Sequence, residues 1–395
     1  MFSKLTILWF YIIPFVLTQS CNEDIHVKTQ ADINRISNCI ILTGNFYITS
    51  PIPTIFLENL KEIDGDLIVS GNDGIFEFKA PMLTSVSGKV EFSSLTALDV
   101  IELPSLNSVN DLVLLQCARL QKLDLNSGIR TISTLRISDT SLRLINGFYM
   151  KTLISLDIDN NKYLTDFYMP NLTEVRGPLI FIQNGYVQYR NGFSVSFPSL
   201  KSTGDLTLQS VSKVDLDNLR SVFGHLVITL TTISKLCLEK LEVISESFSI
   251  YNNSDLTELY LPKLNSIGGT FLLSGNPRLN SISGFPQVRS IGGSLSWSGA
   301  FTNISLPNIN DIRGTVKIIS TSALVCPQFT KSKAIVQGAN PICRSSADSE
   351  TGRASSNRKG GSSNRKSGSV KFIGGLNIVS IIEIVCIFAV FHLII

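Results

Sequence analysis

Between Leu57 and Ile319 one phrase of apolar and polar positions recurs along the chain. Leu60-Lys-Glu-Ile63-Asp-Gly65-Asp-Leu67-Ile-Val69 sets the pattern. Leu264-Asn-Ser-Ile267-Gly-Gly269-Thr-Phe271-Leu-Leu273, Val288-Arg-Ser-Ile291-Gly-Gly293-Ser-Leu295-Ser-Trp297 and Ile309-Asn-Asp-Ile312-Arg-Gly314-Thr-Val316-Lys-Ile318 repeat it. Weaker copies begin at Leu83, Leu106, Leu172, Leu200, Leu219 and Leu241, and from Leu200 onward the starts lie 19, 22, 23, 24 and 21 residues apart. A period of about 22 residues with fixed apolar offsets predicts a solenoid, in which each repeat buries its hydrophobic side only against its neighbours.

Within a repeat, the Leu-x-Ile element reads as a short strand with two inward side chains. The glycine two residues earlier predicts a tight or left-handed turn. A Pro-x-Leu segment, at Pro81, Pro104, Pro170, Pro198, Pro262, Pro286 and Pro307, fixes the chain ahead of the next rung. No segment carries the periodicity of a helix of about 10 residues or more. Asn72, Asn161, Asn184, Asn253 and Asn276 fall five residues after the first inward strand residue, which predicts an internal ladder of amides. About 12 rungs at roughly 4.8 Å each predict a coil about 55 Å long. The expected fold class is therefore all-β, a single right-handed parallel β-solenoid.

Both ends read as processing signals. Lys4, the apolar run Leu5–Leu17 and the small residues before Cys21 predict a secretory signal peptide over residues 1–20. A bacterial lipoprotein signal with Cys21 first is the lesser alternative, and Thr18 and Gln19 fit it poorly. At the other end, a polar Ser/Arg-rich stretch precedes a mixed spacer and the apolar run Ile378–Ile395. That order matches a GPI-attachment signal, with Ser367 as the expected site and Gly361 or Ser362 as second choices. The stalk spans residues 345–369 and the tail to be removed spans 370–395. Asn171, Asn252 and Asn303 each open an N-x-Ser/Thr triplet and are the expected glycosylation sites.

Composition narrows the function. The chain has 395 residues, 44% hydrophobic and 16% charged, so it has ample material for a core. Lys and Arg number 34 against 31 Asp and Glu, which leaves no field to suggest a nucleic-acid partner. Of three histidines, His392 lies in the expected tail, leaving His26 and His225. A multi-histidine metal centre is excluded, a Ser-His-Asp triad is improbable, and no cofactor is expected. Cys386 also lies in the tail. Cys21 with Cys39 and Cys326 with Cys343 each close a loop of fewer than 20 residues and are the expected disulfides. Cys117 and Cys237 lie too many rungs apart to pair and are expected to be buried free thiols.

The Pro-x-Leu-x-x-Ile-x-Gly-x-Leu-x-Ile phrase resembles receptor L-domains. More closely it resembles the fungal GPI-anchored cell-wall proteins of the sporulation-specific and extracellular-mutant type. Asp32-Ile-Asn-Arg-Ile-Ser-Asn-Cys39-Ile-Ile-Leu-Thr-Gly44-Asn-Phe-Tyr-Ile48 is similar to that family's N-terminal cap, and Cys326 with Cys343 to its C-terminal cap. The resemblance implies an N-terminal cap over 21–56, solenoid repeats over 57–320 and a C-terminal cap over 321–344. It also implies a non-enzymatic role in wall organisation, vegetative or ascospore, at the outer face of the plasma membrane or in the wall. The implied partners are cell-wall polysaccharide or wall-synthesis proteins, with the bilayer reached through the GPI anchor. The stalk here is short and basic, a departure from the long Ser/Thr-rich stalks usual in that family.

Two competing readings concern chemistry. Asp157 and Asp159 alternate with inward residues, so both project outward about 7 Å apart, a separation suited to an inverting glycosidase pair or to calcium. No adjacent arginine or histidine is expected to complete that site. The aromatic stretch with Tyr186, Tyr189 and Phe193 lies in the longest clear repeat and supplies candidate glycan contacts. A wall-remodelling hydrolase would use the acid pair. A receptor-like ectodomain would instead show a long exposed apolar strip. His225 begins a strand and reads as structural.

Overall fold

Each Leu-x-Ile segment forms one rung of a parallel sheet that runs along the solenoid. The computed structural model describes residues 21–71, 73–185 and 192–346. Leu67 aligns with Phe46 on one side and Val90 on the other, and the register continues rung by rung to Val316. Every residue of that file is at most 1% exposed, so the file is the spine of the core. A second inward file stands two residues further on, from Ile48 to Ile318. Stacking places like on like. Phe248 lies flat over Phe271 at 4.9 Å, while Trp297 meets Phe271 edge-on at 5.1 Å.

The second half of each Leu-x-x-Ile phrase forms a corner. Eight two-residue strands, Thr152–Leu153 through Asp311–Ile312, pair in parallel there. Leu and Ile of the phrase point inward and the two residues between them face out. The described helices are a six-residue segment, Gln30–Arg35, and a single 3-10 turn, Gln328–Lys331.

The caps are themselves part of the coil. Ile25–Val27 pairs with Phe46–Ile48, and Ile342–Arg344 pairs with Val316–Ser320. The solenoid therefore has about 14 turns, more than the repeat phrase alone suggests. The cap rungs keep the inter-rung glycine contact, with Gly44 against Gly65 and Gly338 against Gly314, but lack the full Leu-x-x-Ile-x-Gly-x-Leu spacing of the repeat phrase. Disulfides Cys21–Cys39 and Cys326–Cys343 tie the two end turns, with Cα separations of 5.9 and 6.0 Å.

The glycine before the strand has positive φ at Gly44 and Gly65, but in the later rungs it has a different role from the turn expected. A Cβ on Gly293 would sit 2.7 Å from the Gly269 carbonyl carbon, and one on Gly314 would sit 2.5 Å from that of Gly293. Close approach of successive rungs excludes a side chain there. The left-handed turn instead follows the strand, and non-glycine residues occupy it in eight rungs: Ser94, Gln116, Asp139, Asn160, Gln183, Ser210, Leu230 and Asn252, with φ between 52° and 59°.

The next residue after each left-handed one points inward. There Thr140, Asn161 and Asn184 form one hydrogen-bonded ladder, and Thr231, Asn253 and Asn276 form another. Thr140 Oγ1 donates to Asn161 Oδ1 at 2.6 Å, and the Asn161 amide N–H donates to Asn184 Oδ1 at 3.1 Å. The second ladder repeats the pattern at 2.7 and 3.0 Å. Each Asn Nδ2 also donates to a main-chain carbonyl of the preceding rung. These are the partners a fully buried amide requires. Cys117 holds the same slot, its thiol donating to Phe92 O and Leu115 O at 3.5 Å. Asn72 lies outside the described residues.

Candidate functional site

The acid pair sits where its strand alternation puts it. Asp157 and Asp159 point outward from Ser155–Asp159, on the flat face of the main sheet. Ile180 and Ile182 align with them on the following rung. On the preceding rung Arg136 aligns with Asp157, and its Nε lies 3.5 Å from Asp157 Oδ2. The expectation that no arginine adjoins the pair is thus incorrect. The sequence conceals Arg136 because its rung has Ser133 where the repeat phrase has glycine before Leu135. Aligning Leu135-x-Ile137 with Leu156-x-Ile158 would have revealed it.

Burial against flat neighbours pushes the Asp157 carboxyl up to about 6, with the Asp159 charge adding to the shift and Arg136 opposing it. Burial likewise raises Asp159. Such a pair can hold a proton near neutral pH, but aliphatic side chains flank it on one side and its arginine on the other. Among the described residues no group of three or more His, Cys, Asp or Glu is placed to hold a metal ion.

The other candidates separate. Phe193 is fully buried, 5.8 Å from Phe181 in the core, and cannot meet a glycan. Phe193 alternates with Ser194 along Phe193–Ser196 and shares its inward side with Val195. Tyr186 and Tyr189 lie outside the described residues, as do residues 1–20 and the anchor candidates Ser367, Gly361 and Ser362. His225 Nδ1 accepts a hydrogen bond from Ser247 N at 3.3 Å, which ties two rungs together. His26 stacks on Tyr47 at 4.8 Å. Cys117 is buried, but Cys237 is exposed, contrary to expectation, because it falls on the outward side of Lys235–Cys237.

The three acceptor asparagines, Asn171, Asn252 and Asn303, are all exposed. Asn252 occupies a left-handed turn at φ 58°, beside buried Asn253. Two broad surface depressions open along the corner of the coil. One is lined by Arg130, Tyr149, Lys151 and Asn171, the other by Asn265, Ser266, Arg289 and Ser290.

Known proteins resemble this chain in sequence. The Receptor L domain family matches residues 201–287, and the repeats around that segment make the molecule a solenoid of receptor-L-domain type. The cell wall mannoprotein PST1 of Saccharomyces cerevisiae is 30% identical over 334 residues, which cover 84% of this chain and 73% of that protein. The protein ecm33 of Aspergillus fumigatus is 28% identical over 321 residues, covering 80% and 79% respectively. Sporulation-specific protein 2 of Saccharomyces cerevisiae is 28% identical over 341 residues, covering 84% and 66%. The chain belongs to the family of fungal cell-wall and cell-surface proteins that these relatives represent.

Proposed function

We propose that this chain is a non-enzymatic, GPI-anchored glycoprotein of the outer cell surface that organises the fungal cell wall. The observation that carries this reading is the extent of the family match. It covers 79–84% of the chain, and the relatives are named for the cell wall, the cell surface or sporulation. The exposed positions of Asn171, Asn252 and Asn303 suit a secreted glycoprotein. The acid pair is partnered by Arg136 on an open sheet face, an arrangement that favours a structural role.

The test is complementation of a deletion strain with three versions of the protein. Intact protein restores wall polysaccharide composition and stays on the cell. Asp157→Asn with Asp159→Asn restores it equally. Truncation after Ser369 releases the protein into the medium, because a GPI signal requires its apolar segment. A double aspartate variant that reaches the surface but fails to restore the wall would establish the hydrolase reading instead. Retention of the truncated form would refute the anchor.

A further inference from the structure

The two outward residues of every Leu-x-x-Ile corner form two straight files along the solenoid. Backbone hydrogen bonds hold the first file in register: Arg130 N donates to Asn107 O, Lys201 N to Thr173 O, Arg220 N to Lys201 O and Arg289 N to Asn265 O, each at 2.8 or 2.9 Å. Six of its twelve rungs, from Lys61 to Asn310, carry Lys or Arg and only one, Glu242, is acidic. The adjacent file adds Glu62, Glu174 and Asp311, so the positive field is concentrated in the stretch from Arg130 to Ser221, where Arg130, Lys151, Lys201 and Arg220 face only Glu174. The adjacent file is Ser or Thr at eight of twelve rungs, including Thr131, Thr152, Ser202 and Ser221. Its register comes from the corner strands.

The cations of this strip are largely uncommitted. Arg220 is paired with Glu242 at 3.8 Å, and the strip's Glu174 is met by Arg176 at 3.8 Å. Among the described residues Lys61, Arg130, Lys151, Lys201 and Arg289 have no salt-bridge partner, and all five are exposed. Both broad depressions lie on these files.

We propose that this corner strip binds an extended polysaccharide bearing phosphate groups. Cations recur at multiples of a rung spacing of about 4.8 Å, so a linear polyanion can engage several at once. The hydroxyl file beside them both donates and accepts, as sugar hydroxyls require. Half-exposed Tyr149 stands beside Arg130 and Lys151, placed to receive a sugar ring. A protein partner would need clustered apolar anchors, which a strip of charges and hydroxyls does not offer. A bilayer presents a plane, and an Asn171 glycan in the same depression would hold a plane off while leaving a thin chain room. The proposal deepens the surface-glycoprotein reading and rests on it only for placing the partner outside the cell.

The test uses the purified glycoprotein with its anchor intact, in detergent, so its failure leaves the wall phenotype standing. The probe is phosphorylated dextran, with unmodified dextran as the neutral control. The intact protein binds the phosphorylated chain in a salt-sensitive manner and ignores the neutral one. Replacing Arg130, Lys151, Lys201 and Arg289 with Gln lowers affinity by about tenfold or more and flattens the salt dependence. Replacing Arg119, Lys162, Lys213 and Lys317 with Gln removes the same charge elsewhere on the exposed surface and leaves affinity within about twofold. A matching thermal midpoint for both variants shows that the fold is intact. Equal losses in the two variants, equal binding of neutral dextran, or no binding of phosphorylated dextran would overturn the proposal. So would equal competition from monomeric short-chain phosphatidylserine, which would assign the strip to lipid headgroups.

Discussion

Two adjacent columns at the end of each main strand show how one repeat produces opposite requirements one residue apart. The left-handed column, with Asn160, Leu230 and Asn252, turns outward and is selected by backbone conformation. The ladder column, with Asn161, Thr231 and Asn253, turns inward and is selected by hydrogen bonding. Asparagine occurs in both for unrelated reasons. In the first it tolerates positive φ better than most residues. In the second its amide both donates and accepts at a site no water reaches. The left-handed column tolerates even Leu230, half exposed at φ 53°, because the conformation costs only about 1–2 kcal/mol. The same inward slot is filled by Leu95 and Val211 in two other rungs, so it demands burial throughout and hydrogen bonding only where the Thr and Asn ladders run.

The largest expected effect therefore belongs to Asn253→Ala. The change strips partners from Ile228 O, Tyr251 O and the Thr231 amide and hydroxyl in one step. Unpaired buried groups cost about 1–3 kcal/mol each, partly relieved by relaxation, so a loss of about 3 kcal/mol is expected in chemical denaturation. A loss under about 0.5 kcal/mol would dissolve the distinction between the columns.

The difference also explains what was legible in the amino-acid sequence. The inward files could be read because Leu-x-Ile alternation has a fixed period and every inward position is apolar. The ladder was visible at Asn161, Asn184, Asn253 and Asn276 because a polar residue at a fixed offset within apolar repeats is conspicuous. Thr140, Thr231 and Cys117 share the slot but went unnoticed, since hydroxyl and thiol groups blend into ordinary strand composition. The glycines were recognised but misread. A glycine required for close approach and one required for positive φ are identical in sequence, and only the neighbouring rung distinguishes them. Arg136 was missed for a related reason, because its relation to Asp157 exists only once two rungs are aligned.

Cys117 provides the next sharpest test, as the thiol member of the buried column. Burial pushes its thiol up to about 12 from an ordinary 9.0. In the unfolded chain the thiol ionises above about pH 9, whereas in the native state it keeps its proton until about pH 12. The folded state then binds more protons than the unfolded one, so stability present below pH 9 falls as pH rises across that window. Relative to Cys117→Ser, which keeps a donor but does not titrate there, the native protein should lose about 3 kcal/mol between pH 8 and 11. Parallel stability curves for the two proteins would place Cys117 outside the sealed column.

The smallest expected effect lies one residue from the largest. Asn252 precedes Asn253, is exposed, and is the one of the two that opens an acceptor triplet. Its amide N–H is bonded to Ser274 O of the next rung, a main-chain contact that any side chain preserves. Gln116 and Gln183 already hold the equivalent turn position at φ 53°. Asn252→Gln should therefore keep the backbone, remove one glycan from the intact-mass spectrum and change stability by less than about 0.5 kcal/mol. Asn253→Ala should keep that glycan, since the triplet needs only Asn252 and Ser254. The two substitutions thus exchange their consequences, one altering mass without stability and the other stability without mass. A stability loss from Asn252→Gln comparable to that from Asn253→Ala would mean that the turn side chain is itself an internal strut, and the two columns would then be one.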